Sequence, residues 1–139
     1  MAQLGKQPAR YIFFLNPYQD ARFTSCPRCR AKTRLRKLPL VIHVDPKNPV
    51  AINRTCRYCD VCDLLIVHQD ELEAQLAHLF ATRAPELVGN HYLVLGTFDR
   101  PVWHRSMQNP LTIKEMLDNL HDFKEVLHFK LAQRWVPPG

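Results

Sequence analysis

Five cysteines in two short clusters are the residues whose types and spacing suggest chemistry. Cys26 and Cys29 form one Cys-x-x-Cys pair, and Cys56, Cys59 and Cys62 form two overlapping pairs. Zinc takes four tetrahedral ligands and accepts thiolate sulfur, and two intervening residues let one tight turn aim both sulfurs at the same ion. A shell of four thiolates leaves no position for a reacting water. The spacing therefore predicts one structural, non-catalytic zinc ion, with iron in the same sulfur cage as the less favoured alternative.

The second cluster offers three cysteines for two ligand positions. We expect Cys59 and Cys62 to be the ligands, because Cys62 leads directly into the apolar run at 64–67, as a Cys-x-x-Cys turn ahead of a strand should. Cys56 is then a free, buried thiol in the incoming strand. The alternative pair, Cys56 with Cys59, leaves Cys62 free instead. A redox pair is disfavoured, since a thioredoxin-like Cys-x-x-Cys stands alone at the start of a helix.

Two Cys-x-x-Cys turns, here called knuckles, are separated by a predicted β-hairpin. This arrangement resembles the zinc-ribbon superfamily, which includes rubredoxin-like domains, and the resemblance covers residues 23–68. It implies a small three-stranded sheet with the metal at one end. Many such knuckles carry Gly just after the second cysteine, where the backbone favours positive φ. Arg30 and Asp63 hold those places here; Asp tolerates that conformation, whereas Arg adopts it at a cost of about 1 kcal/mol.

Hydrophobic periodicity places strands and helices around the cysteines. Helical spacing of Leu72, Leu76, Leu79 and Phe80 predicts a helix, and a second, long helix is expected behind the capping box of Thr112 and Glu115. Residues 99–110, which include Trp103, are interpreted as a loop. Asp70 is the predicted N-cap of the first helix, with Glu73 as its partner. The second helix is predicted from Ile113 to Leu131. Strands are predicted over residues 11–15, 33–44, 50–57, 64–67 and 91–98.

The order of these elements predicts an α+β fold. A chain of 139 residues is expected to form a single domain over residues 1–139, with a zinc ribbon at 22–68 and a helix–strand–helix elaboration at 69–139. Residues 1–10 contain no apolar signal-peptide core, and no apolar run approaches the roughly 20 residues needed to cross a bilayer. We therefore expect a cytoplasmic protein with no membrane partner.

The net charge of +6 is concentrated in the cysteine-containing half. Residues 1–68 contain twelve Lys and Arg against four Asp and Glu, whereas residues 69–139 contain seven against nine. Lys32, Arg34 and Arg36 alternate along a predicted strand and should project from one face. With neighbouring side chains they form a candidate face for nucleic acid or an acidic protein, although a solvated hairpin face is the simpler explanation. The other members of this face are Arg54, Arg57 and Tyr58.

No catalytic residues are predicted, because the chain contains no His-Glu-x-x-His, no Gly-x-Ser-x-Gly and no phosphate-binding glycine loop. His78 and His121 are expected on helix surfaces. The sequence thus favours a binding module over an enzyme. A structural or assembly protein is the alternative, in which the last helix, with Phe129 and Trp135, contacts a partner helix or a second copy of the chain.

Overall fold

The structure is a computed structural model that describes residues 4–18, 20–46 and 48–127. These residues form a mixed α+β fold of seven strands and three α-helices, with a short 3-10 helix at Pro85–Leu87. The strands are β1 (Ile12–Asn16), β2 (Arg34–Val44), β3 (Asn48–Cys59), β4 (Leu64–His68), β5 (Tyr92–Thr97), β6 (His121–Asp122) and β7 (Glu125–Leu127). The helices are α1 (Gln69–Arg83), α2 (Arg100–Gln108) and α3 (Ile113–Asn119).

All seven strands belong to one sheet, in the order β6-β5-β2-β3-β4-β1-β7. The centre is the antiparallel run β2-β3-β4, which has the three strands that the zinc-ribbon resemblance implies. β1 extends this run by pairing parallel with β4, and β7 pairs parallel with β1. On the other side, β5 pairs antiparallel with β2 and carries β6 at its edge. The three-stranded run β2-β3-β4 is therefore the middle of a larger sheet.

Both faces of the sheet are covered, which explains the apolar run of β4. Leu65 and Val67 join the core under α1, while Leu64 and Ile66 join a smaller core around the cysteines. A strand buried on both faces has an uninterrupted run of hydrophobic residues in its sequence, because successive side chains point to opposite faces. A third core, at Val41 of β2, packs against α2 and α3.

The predicted first helix is confirmed, but its predicted cap is wrong. Leu72, Leu76 and Phe80 are buried, as their spacing predicts, and His78 is exposed. The helix begins one residue earlier than Asp70, and its N-cap, His68, makes no side-chain capping bond. The capping box of Thr112 and Glu115 is confirmed in both directions.

Two predictions for the second half are wrong. Residues 99–110 are not a loop but contain helix α2. Asp99 is its N-cap residue, and Pro101 lies in its first turn, where proline is tolerated because the N–H groups there have no partner within the helix. The long helix ends at Asn119, and β6 and β7 follow it. His121 is consequently a buried strand residue with its ring 2.8 Å from the Pro8 carbonyl. The predicted helix beyond residue 127, including Phe129 and Trp135, lies outside the described residues.

Gly96 tests the packing of β6 against β5. A Cβ at this position would run into the backbone carbonyl of His121, which pairs across the sheet edge. We expect Gly96→Ala to lower the free energy of unfolding by about 1–3 kcal/mol, as overpacking does. Gly89→Ala is the control for backbone strain alone. Its Cβ would meet nothing within 4 Å, so its only loss of stability comes from the positive φ of 87°. A loss of less than about 0.5 kcal/mol for Gly96→Ala in chemical denaturation would contradict the placement of β6.

Candidate metal centre

Four of the five cysteines meet at one end of the sheet. The Sγ atoms of Cys26, Cys29, Cys59 and Cys62 all lie within 4.8 Å of one another. The Cys29–Cys59 sulfurs are 3.4 Å apart and the Cys26–Cys62 sulfurs are 4.0 Å apart. Four sulfurs about 2.3 Å from a single tetrahedral ion would be separated by about 3.8 Å, so the cluster has the size of a metal cage. The closer pair is still much longer than a disulfide bond of about 2.05 Å.

The two knuckles come from distant parts of the chain. Cys26 and Cys29 lie in a turn that the Ser25–Lys32 bridge closes, and Cys59 is the last residue of β3. Cys62 lies in the following turn, directly before β4. The cage thus joins the segment between β1 and β2 to the β3–β4 connection.

Both knuckles have the backbone geometry that the zinc-ribbon resemblance implies. Arg30 has a φ of 65° and Asp63 a φ of 56°, at the two positions where zinc-ribbon knuckles often carry Gly. The Arg28 N–H donates to the Cys26 sulfur at 3.4 Å, and the Ala31 N–H donates to the Cys29 sulfur at 3.5 Å. These N–H dipoles stabilise negative charge on sulfur, which is the form that binds metal.

The cage is partly enclosed by the small core around it. Cys26 and Cys59 are buried among apolar side chains that include Phe14 and Leu64, whereas Cys29 is exposed. Phe14 also makes an edge contact with the Phe23 ring at 5.4 Å between centroids, which holds the segment ahead of the first knuckle. One side of the cage is therefore shielded from solvent and the other faces it.

Cys56 does not join the cluster. It lies within β3, is 3% exposed, and its thiol donates to the Arg54 carbonyl at 3.4 Å. Burial raises the pKa of this thiol to about 12, opposed in part by the charge of Arg54, so the thiol is neutral at pH 7. The sequence interpretation of Cys56 as a buried strand residue agrees with this placement.

Neighbouring thiols favour the protonated form of Cys62 in the absence of a cation. The pKa of the Cys62 thiol is raised to about 12. The largest cause is a hydrogen bond with Cys29, and burial and a hydrogen bond with Cys26 contribute less. A metal ion reverses this balance, because it binds the thiolates and displaces their protons. Metal binding is therefore expected to release protons and to weaken as the pH falls.

Asp63 anchors the second knuckle to the rest of the sheet. Its carboxylate accepts hydrogen bonds from the Tyr58 hydroxyl at 2.6 Å and the Lys124 ammonium at 2.8 Å, and from the Tyr11 N–H at 3.2 Å. Burial alone would raise the pKa of Asp63, but these hydrogen bonds and the Lys124 charge lower it below its usual value. No local spacing signals this role of Asp63, because Lys124 lies 61 positions away in the sequence.

The structure divides the predicted binding face into two parts. Arg34 and Arg36 lie on one face, where their guanidinium groups are 5.6 and 5.0 Å from the centre of the Tyr58 ring. Tyr58 is 9% exposed and covered by these cations, so its ring is not an open surface for stacking. Arg57 pairs across the strands with Leu35 and so belongs to the opposite face.

Two further members of that predicted face have separate surroundings. Arg54 is tied to α1, where it donates to the Glu71 carboxylate at 2.7 Å and to the Gln75 side chain at 3.0 Å. Lys32 is exposed beside the first knuckle. Arg34 also pairs with Asp60 at 2.8 Å. The six residues therefore do not form one continuous face.

Comparison of the chain with protein-family models, with curated proteins and with solved structures finds no match. Within the part of the chain that the structure describes, no helix is long and apolar enough to cross a membrane.

Single substitutions of the cysteines test the cage. Cys26→Ser, Cys29→Ser, Cys59→Ser and Cys62→Ser should each weaken metal binding by more than about 100-fold, because even changes outside the ligand shell cost about 10–100-fold. Metal content by elemental analysis, with a chelator competition, measures this. Cys56→Ala is the control and should retain the metal while losing about 1 kcal/mol of stability from the lost packing. Metal retained by Cys62→Ser, or lost from Cys56→Ala, would contradict the ligand set.

The two positive-φ residues should respond oppositely to glycine. Arg30→Gly removes backbone strain and should raise the free energy of unfolding of the metal-loaded protein by about 1 kcal/mol. Asp63→Gly relieves similar strain but deletes the bonds to Tyr58, Lys124 and the Tyr11 N–H. It should therefore lower stability by about 1–2 kcal/mol. Chemical denaturation compares them, and stabilisation by both variants would show that the Asp63 bonds contribute little.

Proposed function

We propose that this chain is a zinc-dependent binding module, in which a structural zinc ion fixes the two knuckles and the β2–β3 hairpin between them. The observation that carries the proposal is the meeting of four cysteine sulfurs within 4.8 Å. Zinc is the metal we assign, since four thiolates suit it and it needs no open coordination position in a structural site. The arrangement of β2, β3 and β4 beside the cage supports a zinc-ribbon-like assignment.

The partner we propose is nucleic acid, bound through its phosphates. Among the described residues, no carboxylate lies within ion-pair distance of several cations on and beside the first knuckle and the hairpin. Unpaired surface cations attract a polyanion, and each phosphate contact releases condensed counterions. Contacts of this kind do not require the buried Tyr58 ring. The unpaired cations of this surface are Arg28, Arg30, Lys32 and Arg36.

Arg28 and Lys32 are the most suitable residues for testing this partner. Both side chains are exposed, and neither packs on Tyr58 as Arg34 and Arg36 do. The double variant Arg28→Gln with Lys32→Gln should weaken binding to a single-stranded oligonucleotide at least about tenfold at low salt. It should also reduce the slope of log affinity against log salt by about 1–2, as two lost phosphate contacts do.

Arg100→Gln with Lys114→Gln is the matched control, because both side chains are exposed on α2 and α3 and the charge change is the same. It should change affinity by less than about twofold. Fluorescence anisotropy over a salt series measures both variants. No salt-dependent binding by the parent chain, or equal losses in the two double variants, would refute a specific basic surface.

An electron carrier with iron in the cage is the second candidate. The observation that favours it is the exposure of Cys29, since an exposed ligand gives a redox partner access to the metal. Iron would give a coloured protein with a reversible reduction potential, whereas zinc gives a colourless protein without one. Absorption spectroscopy of the purified chain, combined with its metal content, distinguishes the two.

A further inference from the structure

A cleft opens where β3 and β4 separate. The two strands pair only at Arg57–Ile66, Tyr58–Leu65 and Cys59–Leu64, although β3 extends back to Asn48 and β4 continues to His68. The β3 edge between residues 53 and 56 therefore faces an open space instead of a neighbouring strand. The cavity here has a volume of about 520 Å³, which is within the range of small-molecule sites.

The cleft contains more positive than negative side chains. Four cations line it, namely Arg22, Lys37, Arg54 and Arg57, against the single carboxylate of Glu71. Glu71 accepts from Arg22 and from Arg54, each at 2.7 Å, and the hydrogen bond from Arg22 is the main cause of its lowered pKa. Lys37 and Arg57 have no carboxylate within ion-pair distance among the described residues. The site has an uncompensated positive charge that an anionic ligand would neutralise.

Arg54, which lines the cleft, is held in place by contacts with the protein. Arg54 has a side-chain exposure of 21%, and α1 fixes it through Glu71 and Gln75. Its Nε atom is buried and has no hydrogen-bond partner in the described part of the chain. The protein contacts therefore fix Arg54 at the wall of the cleft before any ligand binds.

The remaining walls offer neutral donors and one apolar surface. Thr24, Asn53 and Thr55 line the cleft, and Leu35 beside them is 63% exposed. Asn16 is buried and orders the segment that carries Arg22, donating to the Ala21 carbonyl at 2.6 Å. Cys56 adds no charge, because its thiol is neutral. These features suit a ligand with an anionic group and a small organic part.

We propose that the cleft at the β3–β4 fork binds the phosphate group of a small phosphorylated molecule. Arginine guanidinium groups match the geometry of phosphate oxygens, and Lys37 adds a point charge. Leu35 provides the contact for the organic part of the ligand. This site is distinct from the exposed cations of the first knuckle, because it lies where β3 and β4 separate.

Titration calorimetry with AMP as the probe tests the cleft, with adenosine as its uncharged counterpart. The zinc-loaded full chain should bind AMP with a Kd below about 1 mM and should not bind adenosine. The double variant Lys37→Gln with Arg57→Gln should weaken AMP binding at least about tenfold. Lys37→Gln alone should weaken AMP binding about threefold or more. Arg57 lies two residues before Cys59, so if its loss impairs folding, the single variant Lys37→Gln decides the result.

Arg100→Gln with Lys114→Gln should leave AMP binding within about twofold of the parent. The proposal is overturned if the parent chain shows no AMP binding at about 5 mM, if adenosine binds equally well, or if the control variant loses as much as the cleft variants. It is also overturned if Lys37→Gln weakens an oligonucleotide but not AMP, since the cleft would then serve a polynucleotide. Oligonucleotide binding through Arg28 and Lys32 fails or succeeds independently of these results.

Discussion

The convergence of four cysteine sulfurs is the constraint on which the rest of the structure depends. It joins two turns that are some thirty residues apart, one between β1 and β2 and one between β3 and β4. Without a cation, the neighbouring thiols favour the protonated form of Cys62. With a cation, the binding free energy of the metal becomes free energy of folding, because the unfolded chain has no preformed site. The length and register of the central hairpin place both knuckles at the same end of the sheet.

The same constraint extends to the charged surfaces. Thr24 and Arg57, which line the fork cleft, are each two residues from a cysteine of the cage. The exposed cations Arg28 and Lys32 lie within or just after the first knuckle. Neither surface takes part in metal chemistry, yet the positions of both follow from the positions of the knuckles. A metal in the cage would therefore fix both proposed binding surfaces without contacting their ligands.

The features that the sequence predicted are those encoded by local spacing. A few neighbouring residues are enough to detect each of these features: the two knuckles, the alternating hairpin, the apolar run of β4 and the capping box at Thr112. Features that depend on distant contacts were not predicted. The Asp63–Lys124 pair and the covering of Tyr58 by Arg34 and Arg36 arise only when strands are placed side by side. The short strands β6 and β7 interrupt a helical pattern because pairing with β5 and β1 overrides weak local propensity.

X-ray absorption at the metal edge of the purified full chain is the most direct measurement of the central claim. The account predicts one zinc ion per chain with four sulfur neighbours at about 2.3 Å and no nitrogen or oxygen ligand. A zinc shell containing nitrogen or oxygen would contradict the closed thiolate cage. A chain that retains its fold and binds no metal would contradict the claim that the sulfur cage organises the structure.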